Sequence, residues 1–190
     1  MWLVTVGAGF AGLNRYAATT GSADAPSVDV AEMLATHRRP GHPLAVMMIH
    51  PKCPCTDASL AEFADFLARA GSACDGLLVQ LAPLDAGADW QSGPTRVLGG
   101  RTVAVVNDFD GRVAASLGAQ TSGHVVLLDE AGAVRFHGGI TLARGHRGRS
   151  PGQDAMLAAV AHRSAAVELC GAPVYGCPLQ NETPRENLSP

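Results

Sequence analysis

The stretch His50-Pro51-Lys52-Cys53-Pro54-Cys55-Thr56 sets two thiols one residue apart, with a proline between them and another just before. An unbroken apolar run precedes it at residues 43–49 and reads as a buried strand. Beyond it, Leu60, Phe63, Ala64 and Leu67 recur at the spacing of one helix face. The thiols therefore stand where a strand hands over to an amphipathic helix. With Thr56 or Asp57 as its cap, the unpaired N–H groups of the first turn point at the sulfurs, and their partial positive charge favours a thiolate. A thiol of ordinary pKa ~8.5 falls to ~3.5–7.5 in such surroundings, and Lys52 adds a cation. Buried cysteine is also a common small hydrophobe. The two prolines and the helix start argue against that role here, and cysteines spaced beside a βαβ pattern point to redox chemistry.

Composition narrows the alternatives. A chain of 190 residues holds one domain with extensions, and a hydrophobic fraction of 47% supports a true core. The net charge of -3 makes no electrostatic case for nucleic acid. Cys53, Cys55, Cys74, Cys170 and Cys177 make five cysteines, an odd number, so at least one is free or pairs between molecules unless a metal takes several. The C-x-C spacing is one residue short of a zinc-ribbon knuckle, and no second such pair exists.

The elements that must position the thiols follow from the hydrophobic pattern. Residues 1–15 are apolar as far as Asn14-Arg15, shorter than the ~20 residues that span a bilayer and without a basic region in front. They read as the remnant of a membrane anchor, with a first strand and a signal-peptide core as alternatives. Gly7, Gly9 and Gly12 match G-x-G-x-x-G, but Asn14 and Arg15 break the helix face and no strand ending in an acid follows at the right distance. Residues 16–29 read as a flexible polar linker, 30–165 as the folded domain and 166–190 as a loop-rich tail. Within the domain, short helices are expected at 30–37 and 110–117 and longer ones after the thiols to about 70 and at 153–162. Strands are expected at 43–49, 76–82 and 101–106, with an irregular or weakly helical stretch at 85–100 anchored by Trp90. Strands at 123–128 and 133–137 flank the turn Asp129-Glu130-Ala131-Gly132 as a hairpin.

The order β-α-β-α-β, then a hairpin and a helix, is that of a thioredoxin-like fold: an α/β architecture with a central mixed sheet flanked by helices. The first strand lies at the sheet centre, with the cysteine loop at its C-terminal edge. The motifs at residues 50–56 (HPKCPCT), 121–148 (TSGHVVLLDEAGAVRFHGGITLARGHRG) and 174–179 (VYGCPL) resemble, in that order, a RedB-like family of membrane-anchored bacterial thioredoxin-like proteins. The resemblance spans residues 43–179. It implies that Cys53, Cys55 and Cys177 belong to the family pattern while Cys74 and Cys170 do not, and that residues 9–16 continue a single membrane helix. Two features depart from ordinary thioredoxins: one residue rather than two separates the cysteines, and Thr121-Ser122-Gly123 stands where a cis-proline would face them. Read as Cys-x-x-Thr, Cys53 to Thr56 also resembles the spacing of thiol peroxidases.

On a thioredoxin-like frame Cys53 is the expected nucleophile and Cys55 the resolving thiol. Cys177, on a Gly- and Pro-flanked loop, is an alternative resolving thiol or half of a structural disulfide with Cys170. His50 offers a base or a ligand, or simply caps the loop. His124, in the segment facing the cysteines, is the stronger ligand, and Cys53, Cys55 and His124 together would suit Cu(I). Met47 and Met48 point to opposite faces and read as core. Arg144 and His146 either act on a thiolate or anionic group, or join Arg147 and Arg149 in a solvated cationic loop. The leading expectation is an inner-membrane thiol–disulfide oxidoreductase facing the periplasm, without a cofactor, acting on a protein or small-molecule thiol or disulfide. A copper-binding or copper-delivery protein and a thiol peroxidase are the alternatives.

Overall fold

The computed structural model describes residues 1–27, 30–83, 87–109, 111–162 and 170–179. Strand β1 (Leu44–Ile49) is buried at every position, as an unbroken apolar run inside a sheet must be. It pairs in parallel with β2 (Asp75–Ala82) and antiparallel with β5 (His124–Leu128). Beyond β2 lies parallel β4 (Arg101–Phe109), edged by antiparallel β3 (Thr95–Leu98). Beyond β5 lie its hairpin partner β6 (Val134–Gly139) and then β7 (Cys170–Ala172), parallel to β6. The order is β3-β4-β2-β1-β5-β6-β7. Three parallel central strands followed by an antiparallel hairpin make this a mixed sheet of thioredoxin-like topology.

Helices cover both faces. α3 (Thr56–Ala70) and α5 (Pro151–Ala161) lie on one, where Leu60, Phe63, Phe66 and Met156 pack with Met47, Leu78 and Val125. Phe63 and Phe66 are fully buried, and truncating either to Ala would cost about 3–5 kcal/mol. The two helices are joined by Gln153, whose amide donates to the Glu62 carbonyl at 3.1 Å and accepts from Arg69 at 2.9 Å. α3 stops at Gly71, whose φ of 58° suits a residue without a Cβ. On the opposite face Val46, Met48 and Val126 meet Leu34, just after α2 (Val30–Met33), and Ala114 of α4 (Arg112–Ser116). Buried Asp108 starts α4 by accepting from the N–H groups of Val113 and Ala114 at 2.9 and 2.8 Å.

Three segments differ from expectation. The stretch 85–100 contains β3, an edge strand with three exposed residues of four, so no apolar alternation marked it in the sequence. The tail contains β7, too short to show a period. Residues 166–169 and 180–190 of that tail, and Asp110 at the start of the expected helix 110–117, lie outside the described residues.

The third is the N-terminal segment. α1 (Trp2–Ala18) is a helix with no buried residue, and Trp2, Leu3, Val4, Phe10 and Leu13 are exposed. Among the described residues no helix is long and apolar enough to cross a membrane. The strip beyond α1, expected to be a free linker, is instead docked on the domain. The N–H groups of Gly21, Asp24 and Ser27 donate to the carbonyls of Val174, Gly118 and Ser116, each at 2.8 Å. The Thr121 hydroxyl donates to the Ser22 carbonyl at 2.8 Å, and Ala23 bridges Ala119. Small residues let this strip lie flat, and the facing turns supply the partners its backbone needs.

Candidate active site

β1 delivers the chain to the C-terminal edge of the sheet, and a turn closed by Cys53 N–H to His50 C=O at 3.1 Å reverses it into α3. Cys55 occupies the N-cap position without a side-chain cap. The expected cap at Thr56 or Asp57 is therefore absent. Thr56 instead donates its hydroxyl to the His50 carbonyl at 3.0 Å and lies 3.2 Å from Ser122 Oγ, because both hydroxyls serve to tie the cysteine loop to the loop before β5. Ser122 Oγ also accepts from His50 N–H at 3.0 Å.

The loop after β7 completes the site. Cys177 C=O accepts from Ser122 N–H at 2.9 Å. Gly176 approaches so closely that a Cβ on it would stand 2.0 Å from the Ser122 carbonyl oxygen. This brings Cys177 against the other two thiols: the sulfurs of Cys53, Cys55 and Cys177 all lie within 4.8 Å of one another. Cys53 and Cys55 are buried, Cys177 is half-buried, and all three are free thiols. The side chain of Cys170, the other half of the disulfide expected as an alternative, lies outside what is described.

The three sulfurs are not equivalent. Burial works against ionisation of Cys53. The Cys177 thiol and the backbone N–H groups of Cys177 and Cys55 outweigh it, and hold Cys53 below the ordinary thiol pKa. Cys55 is raised by burial and by the charge and hydrogen bond of Cys53, with Arg144 opposing. Cys177 is pushed up to about 12 by burial, by its hydrogen bond to Cys53 and by the Cys53 and Cys55 charges, again against Arg144. The arrangement favours ionisation at Cys53 over its two neighbours. Cys53 also lines a polar groove of ≈ 470 Å³ with Lys52, Gln80, Asp89, Ser92 and Arg96, which the other two cysteines do not reach.

Other sequence candidates fall elsewhere. Lys52 pairs with Asp89 and lies 5.3 Å over the Trp90 ring, and the cation acting on Cys55 and Cys177 is Arg144. His50 accepts from Lys52 N–H through Nδ1 at 3.1 Å and meets Trp90 edge-on at 5.2 Å. Burial, and to a lesser degree Lys52, hold it below the usual histidine pKa. It braces the loop. His146 is exposed. Cys74 is buried after α3, its thiol 3.3 Å from the Asp75 carbonyl, and Cys170 contributes the backbone of β7.

His124 corrects the expected ligand set. It is fully buried but outside the thiol cluster, stacked on His137 at 6.0 Å between ring centroids, with neither ring nitrogen hydrogen-bonded. The reason is strand alternation. His124 shares the face of Val126, which packs in the layer opposite α3, whereas the cysteines start α3.

No protein-family model and no curated protein matches the chain. Among solved structures, it is similar to a hypothetical protein from Sinorhizobium meliloti, at TM-score 0.57 and 19% identity over 86% of this chain and 91% of that one. An uncharacterized conserved protein from Geobacillus kaustophilus aligns at TM-score 0.60 and 12% identity, over 87% and 92%. Mycobacterium tuberculosis DsbF aligns more loosely, at TM-score 0.44 and 20% identity over 70% and 85%. At these identities the first two likenesses speak for the fold.

Proposed function

We propose that this chain is a thiol–disulfide oxidoreductase with Cys53 as its attacking thiol. The observation that carries this reading is the clustering of three free thiols in which Cys53 alone is held toward its thiolate and opens on a groove. The Cys53 thiolate attacks one sulfur of a substrate disulfide, forming a mixed disulfide and expelling the other sulfur as a thiolate. Cys177 or Cys55 then attacks Cys53 Sγ. The second substrate thiol leaves with a proton, the substrate is reduced by two electrons, and the chain keeps an internal disulfide. The two steps are electrostatically linked: once Cys53 is bound to substrate its charge is gone, the repulsion that kept its neighbours protonated disappears, and Arg144 favours the new thiolate.

The resemblance to the RedB-like family and the exposed apolar side chains of α1 support a membrane-associated protein facing the periplasm, where a disulfide-exchanging site has substrates. Flotation of the full chain with lipid vesicles tests that association, and recovery only in the unbound fraction would reject it. The exchange reading is tested by reduction of insulin and of a small aromatic disulfide. Cys53→Ser is expected to abolish turnover and Cys74→Ser to leave it unchanged. Equal loss in both variants, or full activity of Cys53→Ser, rejects Cys53 as nucleophile.

A further inference from the structure

The three thiols also have the geometry of a metal site, and this follows from their spacing independently of the exchange reading. We propose that Cys53, Cys55 and Cys177 form a three-coordinate binding site for Cu(I). Three thiolates bound at ~2.3 Å to one ion stand ~3.8–4.0 Å apart. Sulfurs already within 4.8 Å of one another reach that spacing by small rotamer adjustments. Thiolate ligands select soft ions, Cu(I) among them. A structural Zn(II) site takes four protein ligands, and among the described residues no histidine or carboxylate joins the three cysteines. A trigonal ion therefore matches the donor count.

The charge of such a complex also fits. Cu(I) bound to three thiolates carries a net charge of minus two, and its formation releases thiol protons without any electron transfer. The N-terminus of α3 and Arg144, which already acts on Cys55 and Cys177, face that charge with the opposite sign. Arg144 is held in place from outside the cluster. Its N–H donates to the Ala17 carbonyl at 3.0 Å, its Nε to that of Thr19 at 3.3 Å, and its guanidinium lies 4.8 Å from the Tyr16 ring centroid. The soft-donor site thus uses Cys177 where the sequence pointed to His124.

The test uses the full chain, reduced and kept free of oxygen, titrated with Cu(I) against bicinchoninate. One Cu(I) per chain is expected, with an X-ray absorption spectrum showing three sulfurs and no histidine nitrogen. Cys55→Ser and Cys177→Ser are each expected to weaken binding by more than ~100-fold, beyond the loss that an outer-shell substitution causes. Cys74→Ser is expected to bind as the parent does. Failure to take copper from the chelator, a histidine nitrogen in the coordination shell, or undiminished affinity in Cys177→Ser would overturn the proposal. The absorption spectrum is read on the parent protein, so a poorly folded variant does not blunt the test. Failure here would leave disulfide exchange by Cys53 standing, because that reading is scored by turnover alone.

Discussion

Cys53 and Cys55 are nearly equally buried, at 6% and 9% exposure, so burial does not choose between them. Their hydrogen-bond partners do. Cys53 receives donors from Cys177 and from the Cys55 N–H, whereas Cys55 and Cys177 lie beside the charge that Cys53 would carry. Iodoacetamide should therefore modify Cys53 at lower pH than the other two, as read by peptide mass spectrometry. Cys177→Ala removes a donor and should move the Cys53 midpoint upward, while Cys177→Ser, which keeps a hydroxyl, should move it less. Preferential labelling of Cys55 at low pH would contradict the assignment. His124 makes a second residue-scale test. Burial, with His137 as the lesser cause, lowers its pKa from 6.5 to about 4. The unfolded chain then binds more protons than the folded one between those values, so stability is full above about pH 6.5 and falls as pH drops toward 4. The size of the effect is about 3 kcal/mol. His137, lowered by its own burial, adds to the same acid side. Urea unfolding at several pH values should show this slope flattened in His124→Leu, and an unchanged slope would remove His124 from the account.

At the scale of elements, the site is a meeting of three loops rather than a property of one. The loop entering α3 carries two thiols, the loop before β5 supplies Ser122 as a shared hydrogen-bonding post, and the loop after β7 brings the third thiol. Gly176 is where the last of these is most tightly seated. A methyl group there would collide with the Ser122 carbonyl oxygen at 2.0 Å, and backbone cannot yield as a side-chain tip can. Gly176→Ala should therefore lift Cys177 off the cluster. After mild oxidation, mass spectrometry should find bridging of Cys53 to Cys177 reduced several-fold relative to the parent, with Cys53–Cys55 bridging retained. Undiminished bridging would show that the loop closes by another path.

Taken as a whole, the molecule ties its N-terminal segment to its reactive edge. α1 buries nothing, yet the residues at and after its end hold Arg144 and run along the turns beside Thr121. Deleting residues 1–18 should leave the domain nearly as stable, lowering Tm by no more than the ~3 °C that corresponds to about 1 kcal/mol in a chain of this size. It should also slow resolution of the mixed disulfide in stopped-flow measurements, because Arg144 loses Tyr16 and Ala17 as supports. A large fall in Tm with unaltered resolution would make α1 a stabilising element without influence on the site.

The strand-to-helix handover at Cys53-Pro54-Cys55, the parallel β1 and β2, the β5–β6 hairpin and α3 were all legible in the sequence. Each is a local pattern: an apolar run of strand length, a helical face of Leu60, Phe63 and Leu67, a turn at Asp129–Gly132. β3 and β7 were not, since an exposed edge strand and a three-residue strand bury too little to leave a period. The strip at residues 20–27 has the composition of a free linker, and only its backbone pairing reveals that it is docked. The site divides in the same way. Cys53 and Cys55 announce themselves because sequence proximity guarantees spatial proximity. That Cys177, a candidate already from its loop, does meet them, that Arg144 rather than Lys52 is the cation acting on Cys55 and Cys177, and that His124 turns to the opposite face with His137 depend on which loops meet and on which side of the sheet a strand residue falls. Those are outcomes of register and packing between segments far apart in the chain, and tertiary structure alone decides them.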